Sequence, residues 1–298
     1  MKTIVAAIDT SESSRLVFRE ALVLAVSIRA SVVAVSVTPQ YEGNMNRMCL
    51  ENTDDLLSEP SRKILAESKE YAESLGLELE TIHRKGKASS EILAVAREKN
   101  AAVIVLGCAR RHQIERMLLG RTTAEVIAES PCDVMLLPEQ STIRLSNIVV
   151  GLNEAAANLR VQGRALDIAR SYGGKVTGLY AVYLPTEKAL RYGVIRDAEV
   201  NARGVLRAFE QRALEFDVPA TTKISWDPPE KALVDYSTAN EVDIIVVGAE
   251  NNASLLEAWG GSLIERLASS TCCPVLIARC VGEFSQQRRG NSAFVFEE

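Results

Sequence analysis

This chain of 298 residues has little of what most chemistry needs. It holds two histidines, His83 and His112, and aromatic residues make up 5% of it. Its six cysteines are scattered or adjacent, with no C-x-x-C pair, so neither a zinc site nor a small disulfide scaffold is indicated. There is no G-x4-G-K-[ST] phosphate loop, and no nucleophile, base and orienting acid stand out together. Apolar runs such as Ile244–Val247 are far too short to span a bilayer. The apolar run at the start ends at Asp9, which argues against a secretory leader and for a cytoplasmic protein. Net charge is −5, so there is no overall basic footprint for nucleic acid.

The chain does contain a repeat. The segment VIVLGCARRHQIERMLLGRTTAEVIAESPCDVMLLP starts at Val103, and IIVVGAENNASLLEAWGGSLIERLASSTCCPVLIA starts at Ile244. Gly107 and Gly248, Gly120 and Gly261, and Cys132 and Cys273 are each separated by 141 residues. Near the N-terminus the offset is 144, which aligns Asp9 with Asn153. A repeat of this length is a duplicated domain, not a solenoid unit. Each copy is long enough to bury its own core.

Within each copy, apolar β-branched runs alternate with helical spacing. The expected strands are Thr3–Ile8, Val32–Val37, Leu77–Ile82, Val103–Leu106 and Val134–Leu137. In the second copy they are Ile148–Leu152, Val176–Val182, Thr222–Trp226, Ile244–Val247 and Val275–Ile277. Asp9-Thr10-Ser11 reads as a helix-cap cluster. Pro39–Pro60 reads as irregular, Ile64–Leu75 as an amphipathic helix, and Glu139–Ser146 as a short polar linker. This alternation predicts an α/β fold with parallel strands and right-handed crossovers. The expected units are residues 1–140 and 145–281, followed by a tail, 282–298.

The two segments resemble the universal stress protein family, and the duplication is similar to its tandem subclass. The resemblance implies two doubly wound five-stranded sheets of strand order 3-2-1-4-5, related by a pseudo-two-fold axis. The last strand of each copy is an apolar edge that needs covering, so the copies are expected to pair through it, internally or in a homodimer. In the family's nucleotide-binding members, G-x2-G-x9-G-[ST] holds the phosphates and an Asp after the first strand contacts the adenosine end. The ligand implied is ATP or AMP, with Mg if ATP. The function implied is stress signalling, with slow ATP hydrolysis at most.

Each copy keeps part of this set. The first has Asp9, Gly107, Gly120 and Thr122, with Arg110 in place of the middle glycine. The second has Gly248, Gly261 and Ser262, with Asn251 as the middle residue and Asn153 in place of the aspartate. A glycine after a strand lets backbone or ligand approach closely, and the following helix offers free N–H groups to phosphate. Asn251 takes a left-handed backbone more readily than Arg110, which favours the second copy. Arg110, Arg111, Arg116 and Arg121 favour an anion in the first. The same glycines also fit a purely structural turn, which leaves a scaffold with a different ligand or partner as the alternative. Cys108 fits either a reactive thiol beside basic residues or an inert small residue.

Overall fold

In the computed structural model, the described residues are 2–40, 53–108, 120–139, 141–154, 158–183, 194–249 and 263–279. The first copy contains β1 (Thr3–Ala7), α1 (Glu12–Ile28), β2 (Ser31–Thr38), α2 (Thr53–Ser74), β3 (Leu79–Lys85), α3 (Ala88–Glu98), β4 (Val103–Cys108), α4 (Arg121–Glu129) and β5 (Asp133–Pro138). The second contains β6 (Asn147–Leu152), α5 (Asn158–Tyr172), β7 (Lys175–Ala181), α6 (Val194–Glu215), β8 (Ala220–Ser225), α7 (Pro229–Ala239), β9 (Ile244–Gly248), α8 (Leu263–Ser270) and β10 (Val275–Ala278).

All ten strands join one sheet, ordered β3-β2-β1-β4-β5-β10-β9-β6-β7-β8. Each copy therefore has the order 3-2-1-4-5, parallel throughout, and β5 meets β10 antiparallel. At that seam Met135 lies opposite Leu276. These two residues are equivalents at the 141-residue offset, so the pseudo-two-fold axis passes between them. The central strands are buried on both faces, which is why they read as unbroken Val, Ile and Leu. Helices α1, α2, α5 and α6 cover one face of the sheet. The other face packs on α3, α4, α7 and α8.

The repeat also governs how helices end. Arg29 and Gly173, Gly76 and Asp217, and Asn100 and Glu241 occupy equivalent positions, and all six have positive φ. After each, the next N–H reaches back five residues, as in Ala30 to Ala25 at 2.9 Å and Gly174 to Ala169 at 2.8 Å. This is the left-handed helix stop that glycine takes most easily, and Gly76 and Gly173 supply it without a Cβ.

Two local expectations need correction. The span up to Pro60 is not all irregular: α2 begins at Thr53 and carries Pro60 inside it. Packing outweighs the local cost of proline, because Ser58 and Ser61 are buried and Ser61 hydrogen-bonds Thr38 of β2 at 3.2 Å. The linker is not simply polar. Ser141, Ile143 and Leu145 are buried while Thr142 and Arg144 face out. Ile143 and Leu145 join the core beneath α1 and α5, and the Ile143 N–H donates to Glu20 of α1 at 2.7 Å. The connection is therefore an alternating extended segment packed between the copies.

Candidate functional site

Strand order reverses on either side of β1, so a crevice opens past the carboxyl ends of β1 and β4. In the second copy the matching strands are β6 and β9. Asp9 and Gly107 sit at the first crevice, and Asn153 and Gly248 at the second.

Asp9 follows β1 and is held by the serines after it. Its Oδ1 accepts from the Ser11 N–H at 2.9 Å, from the Ser11 hydroxyl, and from Ser14 Oγ at 2.6 Å. The Asp9 N–H in turn donates to Ser14 Oγ at 2.8 Å. Partial burial of the carboxyl works against ionisation, but the bonds from Ser11 and Ser14 outweigh it and hold its pKa below the ordinary aspartate value. Ser11 stands at the N-cap of α1, yet its hydroxyl does not cap the helix. It turns to Asp9 instead, which corrects the simple cap assignment. The sequence signal was the run of serines itself.

At the equivalent place, Asn153 is exposed and accepts at its backbone carbonyl from the buried Asn158 side chain. Asn158 is the repeat partner of Ser14. Both copies thus tie the turn after their first strand to the following helix; the first places the carboxylate of Asp9 there, whereas in the second the neighbouring carboxylate is Glu154, which accepts from Tyr180 at 3.0 Å.

Gly107 and Gly248 have a packing reason to be glycine. A Cβ on Gly107 would lie 2.9 Å from Val17 Cγ2 of α1. A Cβ on Gly248 would lie 2.9 Å from Val161 Cγ2 of α5, and Val17 and Val161 are repeat equivalents. Neither glycine has positive φ, so close approach of a helix, not a left-handed turn, requires them. Nothing in the sequence marks Val17 or Val161 for this role, since each is one apolar residue among several in its helix.

Gly120 is different. It is the N-cap of α4 with no side-chain cap, and among the described residues an added Cβ would meet only Thr123 Oγ1, at 3.9 Å. The first N–H groups of α4 have no partner within the helix. Thr122 lies half-buried in that first turn. Arg121 is engaged with Glu125 at 3.0 Å. Lys87 meets the same carboxylate at 2.8 Å and Ser89 donates to it at 2.5 Å. The bonds from Lys87, Ser89 and Arg121 hold Glu125 down at about 2. In the second copy the matching contact between α7 and α8 has other charges: Arg266 pairs with Glu230 at 3.1 Å.

Arg110, Asn251, Gly261 and Ser262 lie outside the described residues, as do Arg111, Arg116 and the tail 282–298. Cys108 is buried and desolvation pushes its thiol up to about 12, with Glu139 adding to the shift. This fits the inert alternative and not a reactive thiol. His83 meets Thr38 Oγ1 at 2.8 Å. A cleft of about 520 Å³, lined by Thr3, Ser31, Lys69 and Lys99 among others, lies at the amino ends of β1 and β2, away from Asp9. Among the described residues, no helix is long and apolar enough to cross a membrane.

The profile of the Universal stress protein family matches residues 1–138 and again residues 145–279. A universal stress protein of Methanocaldococcus jannaschii is 31% identical over 139 residues, 46% of this chain and 81% of that protein. One from Mycobacterium tuberculosis is 23% identical over 190 residues, 60% of this chain and 62% of that protein. The crystal structure of a universal stress protein from Archaeoglobus fulgidus covers 94% of this chain and 97% of its own, with a TM-score of 0.74 at 17% identity. That likeness concerns the fold.

Proposed function

We propose that this chain, which belongs to the universal stress protein family in both of its copies, is a cytoplasmic protein that binds an adenine nucleotide, ATP or AMP, and signals stress by a change of conformation. The observation that carries the reading is the first crevice. A carboxylate held ionised at the end of β1 stands beside β4, whose following helix α4 starts at a glycine that brings no side chain to its first N–H groups. Asp9 takes the adenosine end, and the N–H groups after Gly120 together with Thr122 take phosphate. The donors at α4 fit a phosphate, and with ATP a Mg ion would offset charge on the phosphates. In the second copy Gly248, Asn251, Gly261 and Ser262 are the matching residues, with Asn153 in place of the acid. The two binding units are residues 1–140 and 145–281.

The alternative is a scaffold that binds another small molecule or a partner protein. It is favoured by the packing of Gly107 and Gly248 against Val17 and Val161, which accounts for both glycines without a ligand. Calorimetry with ATP and with AMP on the full chain separates the two. Nucleotide binding is expected, weakened by Asp9→Ala if the first copy holds the ligand and by Gly261→Val with Ser262→Ala if the second does. Absence of heat with both nucleotides gives the scaffold reading.

A further inference from the structure

Helix α4 has only nine residues, and its far end is held by the other copy. The last carbonyls of a helix have no partner within it. Here Arg279, the residue after β10, supplies one. Its Nε donates to the Ser130 carbonyl at 2.9 Å, Nη1 to Ile127 at 3.3 Å and Nη2 to Ala128 at 3.1 Å. The planar guanidinium suits such a fork, and its charge complements the negative end of the helix. The arginine is itself anchored. Its backbone N–H donates to Asp133 Oδ1 at 3.0 Å, and Arg164 of α5 lies 2.7 Å from Asp133 Oδ2.

The pseudo-symmetry does not demand this contact. The repeat equivalent of Arg279 is Pro138, which has no side-chain donor. Among the described residues, the side-chain contact from the first copy to the matching end of α8 is the Cys108 thiol, 3.6 Å from the Ala268 carbonyl. Among the described residues, the guanidinium cap therefore runs one way, from the second copy to the first.

We propose that Arg279 is a positioning residue for α4, so that the first copy's anion end is completed by the second copy of the chain. This rests on the reading of Gly120 and Thr122 as the phosphate side. A short helix forms cooperatively, and loss of its C-terminal cap reaches the first turn within a few residues. An anion at the N-terminus and the arginine at the C-terminus then stabilise one element, and each favours the other by linkage.

The test uses the full chain carrying Arg279→Met, which keeps the apolar stem, or Arg279→Lys, which keeps the charge but not the fork. Amide hydrogen exchange is followed in α4 and α8. ATP and AMP binding is measured with Gly261→Val present, so that the second copy's loop is blocked. With Arg279→Met, α4 is expected to exchange about tenfold faster, the scale of losing a charged cap, while α8 is unchanged. Nucleotide affinity should fall by a similar factor, and Arg279→Lys should restore part of both. Equal acceleration in α4 and α8, or unchanged exchange in α4, overturns the proposal. If the chain with an intact Arg279 binds neither nucleotide, the reading of the site falls, and the exchange comparison alone decides whether Arg279 positions α4.

Discussion

Replacing Gly107 with alanine separates packing from ligand approach as the reason for that glycine. The new Cβ would lie 2.9 Å from Val17 Cγ2, against about 3.5–4.0 Å for a comfortable carbon contact. Val17 is 1% exposed, and a β-branched side chain in a helix has one strongly preferred rotamer. It cannot swing away, so α1 or β4 must shift. Overpacking of this kind costs about 1–3 kcal/mol. Val17→Ala alone removes two buried methyl groups, a loss of about 1.6 kcal/mol at ~0.8 kcal/mol per carbon, plus a cavity term. In the double variant the methyl introduced by Gly107→Ala enters the space that Val17 vacates. The combined cost should therefore fall short of the sum by about 1–2 kcal/mol, within the range seen for residues in contact. Urea denaturation of the parent, both single variants and the double variant gives the coupling directly. The pair Gly248 and Val161 provides an independent repeat of the cycle, because its geometry is the same. Additivity within about 0.5 kcal/mol at both pairs would refute close packing as the reason for these glycines.

Arg164→Met should destabilise the chain at neutral pH by up to about 3–5 kcal/mol, because it removes the ion-pair partner of the buried Asp133 and leaves only the pull of Arg279. Burial lifts the Asp133 carboxyl above the ordinary range against the pull of Arg164, and the substitution lifts it further. A carboxyl raised on folding contributes stability below its unfolded pKa and loses it as pH rises through the folded value. The variant should thus lie nearer the parent at about pH 4–5 than at about pH 8 in urea melts; a pH-independent difference would count against the pairing. Alkylation by iodoacetamide near pH 8, read by peptide mapping, should modify the exposed Cys272 and spare Cys108 and Cys132 until urea is added. Burial pushes both of the latter thiols up to about 12, so prompt labelling of Cys108 would contradict its burial.

The two copies, their alternation of strand and helix, and the ten strand segments were legible in the amino-acid order alone, with bounds displaced by up to three residues at the more polar edge strands β3 and β8. Strand and helix periodicity is a property of a few neighbouring residues, and the duplication printed it twice. The strand order came with the family resemblance, and the sheet joins both copies of it at β5 and β10. Asp9, Gly107, Gly120, Thr122, Asn153 and Gly248 could be named from the strand ends and the family's motif, but what surrounds them could not. That Val17 requires Gly107 to lack a side chain and that Pro60 sits within α2 depend on how separate segments pack, whereas the turn of Ser11 and Ser14 to Asp9 is local and the run of serines signals it. The alternating Ser141–Leu145 pattern was present in the sequence, but only the groove between α1 and α5 makes its apolar face part of the core. Most distant of all is Arg279. Nothing near it in the chain signals that it caps α4, because its partners Ile127, Ala128 and Ser130 arrive only when the two copies join their last strands. Local order along the chain sets which elements form; the antiparallel seam decides which residues of one copy complete the other.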